Sequence, residues 1–327
     1  MINKIKDREQ LFNKFFDAFQ LWFNKHYQAK KIDRKIIIWD LFGGSNNSVW
    51  NALKKYDFIE VYTFDINTNI KHDKQYIINL AKNDIDNFVE FIEMGNFPKP
   101  DFICASPLCN SFSVILQTPD GGTLGWKKEL IKDTWTRGGY EFETVEVDYK
   151  IRDEQSFNEM KAKNNFFRYM DYEKIKNNAE LGFRCMKNTI DIIHRYNPLC
   201  YYIENPWTSK IWDVFHYYSA TRHKNRAHYN NYDLTHTQKP TCFLSNMRML
   251  LNHENLKGNV EKRASKARSN VCFKGTSKPL EQGTNTLIPE LLIKHIISLF
   301  LEEWKTRKYN VGNIFKEYEE HLKKKGG

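Results

Sequence analysis

Lys35-Ile36-Ile37-Ile38-Trp39-Asp40-Leu41-Phe42-Gly43-Gly44-Ser45-Asn46-Asn47-Ser48-Val49-Trp50-Asn51-Ala52-Leu53 decides the fold class. An apolar, β-branched run ends in a small-residue loop, and a helical stretch over 48–56 follows at once. Working outward, a second strand, Ile59 to Phe64, closes at Asp65, and a third strand-like segment lies around Gln75 to Leu80. A helix over 83–94 and a short apolar strand, Asp101-Phe102-Ile103-Cys104-Ala105, come next. Strand, loop, helix and strand at this rhythm predict a parallel, doubly wound α/β sheet, whose ligands sit at the carboxyl ends of the strands.

The flanks are less regular. Leu11, Phe15, Phe16, Phe19, Trp22 and Phe23 recur at helical spacing, so residues 1–34 read as a helical extension packed on the main domain. The catalytic domain is expected over 35–246, with a loop or hairpin insert at about 114–165. Five of the 15 glycines lie between Gly121 and Gly139, which predicts a mobile, loop-rich segment; Tyr140 to Ile151 alternates like a hairpin strand. A helix over 174–196 and a strand, Cys200 to Ile203, follow, the latter running into Glu204-Asn205-Pro206. Residues 247–282 carry eight Lys/Arg against three Glu and no Asp, a net +5 and half of the surplus of the whole chain. Residues 283–327 return to the catalytic domain through an apolar helix, Pro289 to Trp304, and end in a charged tail.

The 327 residues are 41% hydrophobic and 15% aromatic, enough to close a sizeable core, which excludes disorder as the dominant state. No apolar stretch approaches the roughly 20 residues of a membrane helix, and charges at Lys4, Lys6, Asp7, Arg8 and Glu9 break up any signal-peptide core. A soluble, cytoplasmic protein with no membrane partner is expected. Six scattered cysteines without a C-x-x-C pair argue against a zinc site or a disulfide framework, so no metal is expected. A formal net charge of +10 points to a polyanionic partner, although a chain rich in Lys, Asn and Ile acquires part of that from base composition.

Three features carry chemistry. The loop Asp40 to Asn46 lies where backbone N–H groups and a helix start meet an anionic ligand, and Asp65 is placed to accept ribose hydroxyls. G-x-G-x-x-G is absent, which favours a mononucleoside-type ligand such as S-adenosylmethionine over a dinucleotide. Ala105-Ser106-Pro107-Leu108-Cys109-Asn110-Ser111-Phe112-Ser113 puts a thiol at the carboxyl edge of the fourth strand, where a helix start could lower its pKa; the bland alternative is a small buried hydrophobe. Glu204 would reach the same edge as a candidate acid, or serve as an ordinary turn residue.

These motifs, in this order over about 270 residues, resemble the cytosine-5 DNA methyltransferase family, more closely its compact phage and bacterial branch. Asp40-Leu41-Phe42-Gly43-Gly44 is similar to the S-adenosylmethionine loop, Ser106 to Ser113 to the nucleophile motif, Glu204-Asn205-Pro206 to the catalytic Glu-Asn motif, and Gln238-Lys239-Pro240-Thr241 to a Lys-Pro-Thr element. Thr284-Asn285-Thr286-Leu287-Ile288-Pro289 falls where the last motif returns to the cofactor. An adenine or cytosine amino-methyltransferase would instead carry an aromatic residue after Ser/Asn/Asp-Pro-Pro, on ground that Cys109 occupies.

The resemblance implies a Rossmann-like, S-adenosylmethionine-dependent methyltransferase fold with a small basic target-recognition element. It implies methyl transfer to C5 of a flipped-out cytosine in double-stranded DNA, with Cys109 and Glu204 catalytic; an RNA substrate, or an impaired nucleic-acid-binding relative, are the alternatives. The cofactor would be held by Asp40, Phe42, Gly43, Gly44, Ser45, Asp65, Ile66, Ser106, Leu108, Asn285 and Thr286. DNA would meet Ser113, Lys239, Lys262, Arg263, Lys266 and Arg268, with Gly121, Gly122 and Gly125 as hinges of a closing loop. The protein is expected to act as a monomer on DNA, with a cognate restriction endonuclease as a possible companion. Three departures stand out: Leu108 where the family usually has Pro, Asn46 and Asn47 where glycines are common, and Pro240, Thr241 and Cys242 in place of a cytosine-holding arginine.

Overall fold

β1 (Ile36–Leu41) is buried along its whole length, as its uninterrupted apolar run requires of a strand covered on both faces. In the computed structural model, which describes residues 2–44, 47–82, 84–137, 140–236, 239–254 and 287–309, alternate residues of β1 serve two cores. Ile36 and Ile38 pack with α1 (Ile2–Gln28), α2 (Ser48–Leu53) and the C-terminal helix Glu290–Tyr309. Ile37, Trp39 and Leu41 pack with helices Asp86–Met94 (α3) and Tyr172–Tyr196 (α5). The aromatic stripe of α1, from Phe12 to Phe23, is therefore part of the main core and not an appendage to it.

The sheet runs β3 (Gln75–Ile77), β2 (Ile59–Asp65), β1, β4 (Phe102–Ala105), β7 (Cys200–Pro206), β9 (Pro240–Ser245), β8 (His223–His228). Strands β3, β2, β1, β4 and β7 are parallel, and β9 is antiparallel to both of its neighbours. This is the doubly wound, Rossmann-like α/β sheet expected from the sequence. The winding reverses between β1 and β4, the crevice where such sheets bind ligands. The sequence did not mark β8: His-Lys-Asn-Arg-Ala-His is polar because it is an edge strand with one side open.

The insert is a two-stranded ribbon, β5 (Trp126–Arg137) with β6 (Tyr140–Ile151), paired from Trp126↔Ile151 to Arg137↔Tyr140. Hydrogen bonds tie its base together around Gly121, Gly122 and Gly125. Gly121 N–H donates to Thr118 O (3.0 Å) and Gly122 N–H to Asp120 Oδ1 (3.2 Å). The buried Arg152 guanidinium donates to Thr123 O and Thr118 Oγ1, 2.9 Å each, and pairs with Asp120. A buried charge with this many partners holds the turn; Gly121 takes a left-handed φ of 82°, and a Cβ on Gly122 would lie 2.0 Å from Trp126 O.

Gly182 of α5 faces the turn Asn110–Phe112 so closely that a Cβ there would meet Ser111 Oγ at 2.3 Å and Phe112 Cε2 at 3.0 Å. Overpacking of this kind costs about 1–3 kcal/mol. Gly182→Ala is expected to lower Tm by about 2–10 °C, and Ser111→Ala in the same chain to restore part of the loss. Equal Tm values for wild type and Gly182→Ala in a thermal melt would show that α5 does not clamp this turn.

Candidate active site

A cleft of about 580 Å³ opens at the carboxyl edge of the sheet across β1, β4 and β7. It is lined by Asp40, Phe42, Gly43, Gly44, Asp65, Ile66, Ser106, Leu108, Cys109, Glu204 and Lys239, among others. Of the expected cofactor-site residues, these are all that fall within the described part of the chain; Ser45, Asn285 and Thr286 lie outside it. Lys262, Arg263, Lys266, Arg268 and Gln238 also lie outside the described residues.

At one end of the cleft the loop after β1 turns sharply. Phe42, Gly44 and Asn47 take positive φ (63°, 64° and 46°), so the asparagine in a family glycine position does hold a left-handed turn. Gly43 admits no side chain: a Cβ would lie 2.5 Å from Thr63 Cγ2 and 2.7 Å from Asp40 Oδ2. Asp65 accepts Gly44 N–H at 2.9 Å on Oδ2 and Asn67 N–H at 2.7 Å on Oδ1. Each oxygen keeps a lone pair for a ligand hydroxyl. α2 is only six residues long, so the loop amides, not a helix dipole, shape this end.

Asp40 is 5% exposed and its Oδ2 has no hydrogen-bond partner. Burial, and then the charge of Asp65, push its carboxyl up to about 8. An unpartnered buried carboxyl, a loop that only glycine fits, and a half-buried acid at the next strand end make a cradle suited to a ligand carrying both hydroxyls and positive charge.

At the other end stands Cys109, half-buried, whereas Cys104, Cys185, Cys200 and Cys242 are buried; all five are free thiols. The loop that carries it is tied across the crevice: Asn205, fully buried, donates from Nδ2 to Pro107 O at 3.0 Å. The expected lowering of the Cys109 pKa is not what the surroundings produce. Burial and the charge of Glu204 raise it, Lys239 works against them, and the helix that follows is a single three-residue turn with little dipole. Glu204, 8% exposed, accepts Tyr229 Oη–H at 3.0 Å and faces Lys239 Nζ at 3.5 Å, both on Oε1. Lys239 also lies over the Tyr229 ring, 4.9 Å from its centroid.

Tyr229 was not legible as a site residue, since it follows a polar edge strand; the Tyr-x-x-Tyr spacing with Tyr232 gives no chemical signal. Ser113 is not at the cleft: its Oγ accepts Ile115 N–H at 3.3 Å and caps the next turn. Among the described residues no group of three or more His, Cys, Asp or Glu could hold a metal, and no helix is long and apolar enough to cross a membrane.

The raised Asp40 pKa has a sign that can be checked. A carboxyl lifted from its ordinary value to about 8 favours the folded state at low pH, and that contribution is lost as pH climbs through the interval. Asp40→Asn removes the titration, so its Tm relative to wild type is expected to move in the variant's favour between about pH 5 and about pH 9. A Tm difference flat with pH would mean that Asp40 is ionised in the folded protein throughout.

No family profile matches the chain, and no curated protein does. Among solved structures, the Entamoeba histolytica methyltransferase EhMeth is similar, with a TM-score of 0.34 and 12% identity over 71% of this chain. The chain spans 62% of that protein's length.

Proposed function

We propose that this protein is a DNA cytosine-5 methyltransferase that uses S-adenosylmethionine. The observation that carries the proposal is that Cys109 and Glu204, about 95 residues apart in sequence, line one cleft together with the Asp40 to Gly44 loop and Asp65. S-adenosylmethionine, when bound, supplies a methyl group on a sulfonium centre. Asp65 would take its ribose hydroxyls, Phe42, Gly43, Gly44 and Ile66 would wall it in, and Ser106 and Leu108 would bound it toward the thiol.

The protein's own chemistry follows from residue type. C5 of cytosine is a weak nucleophile. The Cys109 thiolate adds its electron pair to C6, forming an S–C6 bond and pushing the C5=C6 π electrons toward C5, while Glu204 at N3 offsets the charge that develops in the ring. After C5 takes the methyl, its proton is lost to a base and the thiolate leaves, restoring the double bond. Since C6 and C5 are covered in a stacked duplex, the base has to swing out into the cleft. Lys239, the one cation among the described lining residues, is suited to the role that the family gives to the arginine missing here.

Incubation with labelled S-adenosylmethionine and duplex DNA is expected to transfer label to cytosine. Cys109→Ser should abolish transfer, and 5-fluorocytosine in the duplex should trap a covalent adduct. Label on tRNA and none on duplex DNA would replace the substrate with RNA, and transfer that survives Cys109→Ser would end the covalent mechanism.

The basic stretch 247–282 is proposed to contact phosphates. Neutralising Lys262, Arg263, Lys266 and Arg268 together should weaken duplex binding and reduce the slope of log K against log salt by about 0.9 per lost contact. A slope identical to wild type would remove the segment from the DNA interface.

A further inference from the structure

Cys109, Glu204, Lys239 and Tyr229 form a charge cluster whose geometry goes beyond what the proposed transfer reaction requires. Both hydrogen-bonding contacts of the Glu204 carboxylate fall on the same oxygen: Tyr229 Oη–H at 3.0 Å and Lys239 Nζ at 3.5 Å. Tyr229 is fully buried and cannot turn away to solvent. Lys239 is 28% exposed, lies over the face of the Tyr229 ring, and belongs to the segment entering β9, whose Pro240 O accepts Trp207 N–H at 3.0 Å. Carboxylate, phenol and ammonium are thus set from three separate strand ends, beside the sulfur.

We propose that Tyr229, Glu204 and Lys239 act as a charge gate on Cys109: in the empty cleft Lys239 is committed to Glu204, and neutralisation of Glu204 by a docked base frees the ammonium to stabilise the sulfur anion. Tyr229 is the positioning residue that holds Glu204 Oε1 in place for both states. The step is transfer of the Sγ–H proton, through water at the cleft mouth, to Glu204 Oε2: one S–H bond breaks, one O–H bond forms, and the neutral carboxyl then donates that hydrogen to N3 of the docked base.

The signs of the surrounding fields agree with the gate. Besides burial, the charge that raises the Cys109 thiol is Glu204, and the charge that lowers it is Lys239. While the two are paired their effects oppose each other and burial prevails, so the thiol stays protonated and inert. Once Glu204 carries the thiol proton and donates it as a hydrogen bond to N3 of the docked base, the opposing charge is gone and Lys239 is left alone. The other titratable groups facing this cluster among the described residues are His236, whose ring lies 5.7 Å from that of Tyr229 and whose pKa is lowered first by burial, Asp233 paired to it at 3.6 Å, and the buried Cys242 and Tyr202, both raised first by burial and so neutral. A neutral imidazole adds no charge to the balance near pH 7.

The gate rests on the proposed function for the identity of the docked base, but its charge coupling can be measured in the free protein. The probe is the pH–rate profile of alkylation by iodoacetamide, with Cys109→Ser supplying the background from the remaining cysteines. Glu204→Gln, which imitates the neutralised carboxylate, is expected to shift the Cys109 profile to lower pH and raise the rate at pH 7 by about tenfold, one unit of thiol pKa. Lys239→Met should shift it the other way, and Lys239→Arg should keep the wild-type profile. Tyr229→Phe should fall between wild type and Glu204→Gln. Melting temperature and S-adenosylmethionine binding of each variant separate misfolding from loss of charge. A Glu204→Gln profile unchanged or moved to higher pH in a folded variant overturns the gate, whatever substrate the enzyme methylates. Opposite shifts for Glu204→Gln and Lys239→Met without transfer to DNA would leave the gate standing and the proposed substrate refuted.

Discussion

The chain has to part between β1 and β4, and the chemistry depends on that parting. One winding direction leads from β1 through α2 to β2; the other returns through α3 to β4, so the loops after Leu41 and Ala105 leave the sheet on different sides. The gap is held to a fixed width from both ends. At the amino edge Asp101 accepts Ile37 N–H at 3.0 Å, a two-pronged Arg34 contact and Trp304 Nε1–H at 3.3 Å, joining both strands to the C-terminal helix. At the carboxyl edge Ser106 N–H reaches Leu41 O at 3.2 Å. Between these clamps β1 and β4 pair continuously, from Ile38↔Phe102 to Leu41↔Ala105, and the cleft opens beyond the carboxyl end of that pair.

The cleft has the opposite electrostatic character to the chain. The protein carries +10 overall, yet among the described lining residues Asp40, Asp65 and Glu204 face a single cation, Lys239. Coulomb repulsion between Asp40 and Asp65 adds to desolvation in keeping Asp40 neutral at physiological pH. A cationic ligand at that end relieves the repulsion, whereas a second anion would compound it. At the Cys109 end the single cation among the described lining residues is already paired with the Glu204 carboxylate, at 3.5 Å.

How much of this was legible follows from which interactions are local. β1, β2, β4 and β7 are apolar runs buried on both faces, and period and composition alone mark such strands. The Gly43 loop, Asp65, Cys109 and Glu204 sit directly at the ends of those runs, so finding the strands placed the residues. β5 escaped because Trp126 to Arg137 intersperses Lys, Glu and Asp with its β-formers, and its partner strand alone supplies the pairing. At the Gly121 turn the glycine content is visible in sequence, whereas the Arg152 guanidinium bound there arrives from about 30 residues away. Tyr229 and Asn205 act through single long-range hydrogen bonds, which leave no periodic trace.

Asn205 also resolves the departure at Leu108. A proline at position 108, before Cys109, would stiffen the loop by fixing φ, a local device. Here stiffness comes from contacts around the loop: Asn205 Nδ2 on Pro107 O, Phe112 O accepting Lys210 N–H at 2.9 Å, and the bare backbone of Gly182 against Ser111. Restraint imposed from β7, α5 and the segment after β7 positions Cys109 relative to Glu204 directly, because Asn205 is the next residue along the same strand. The loop's aim is therefore set by the element that carries the acid, and a leucine at 108 leaves the relation between thiol and carboxylate intact.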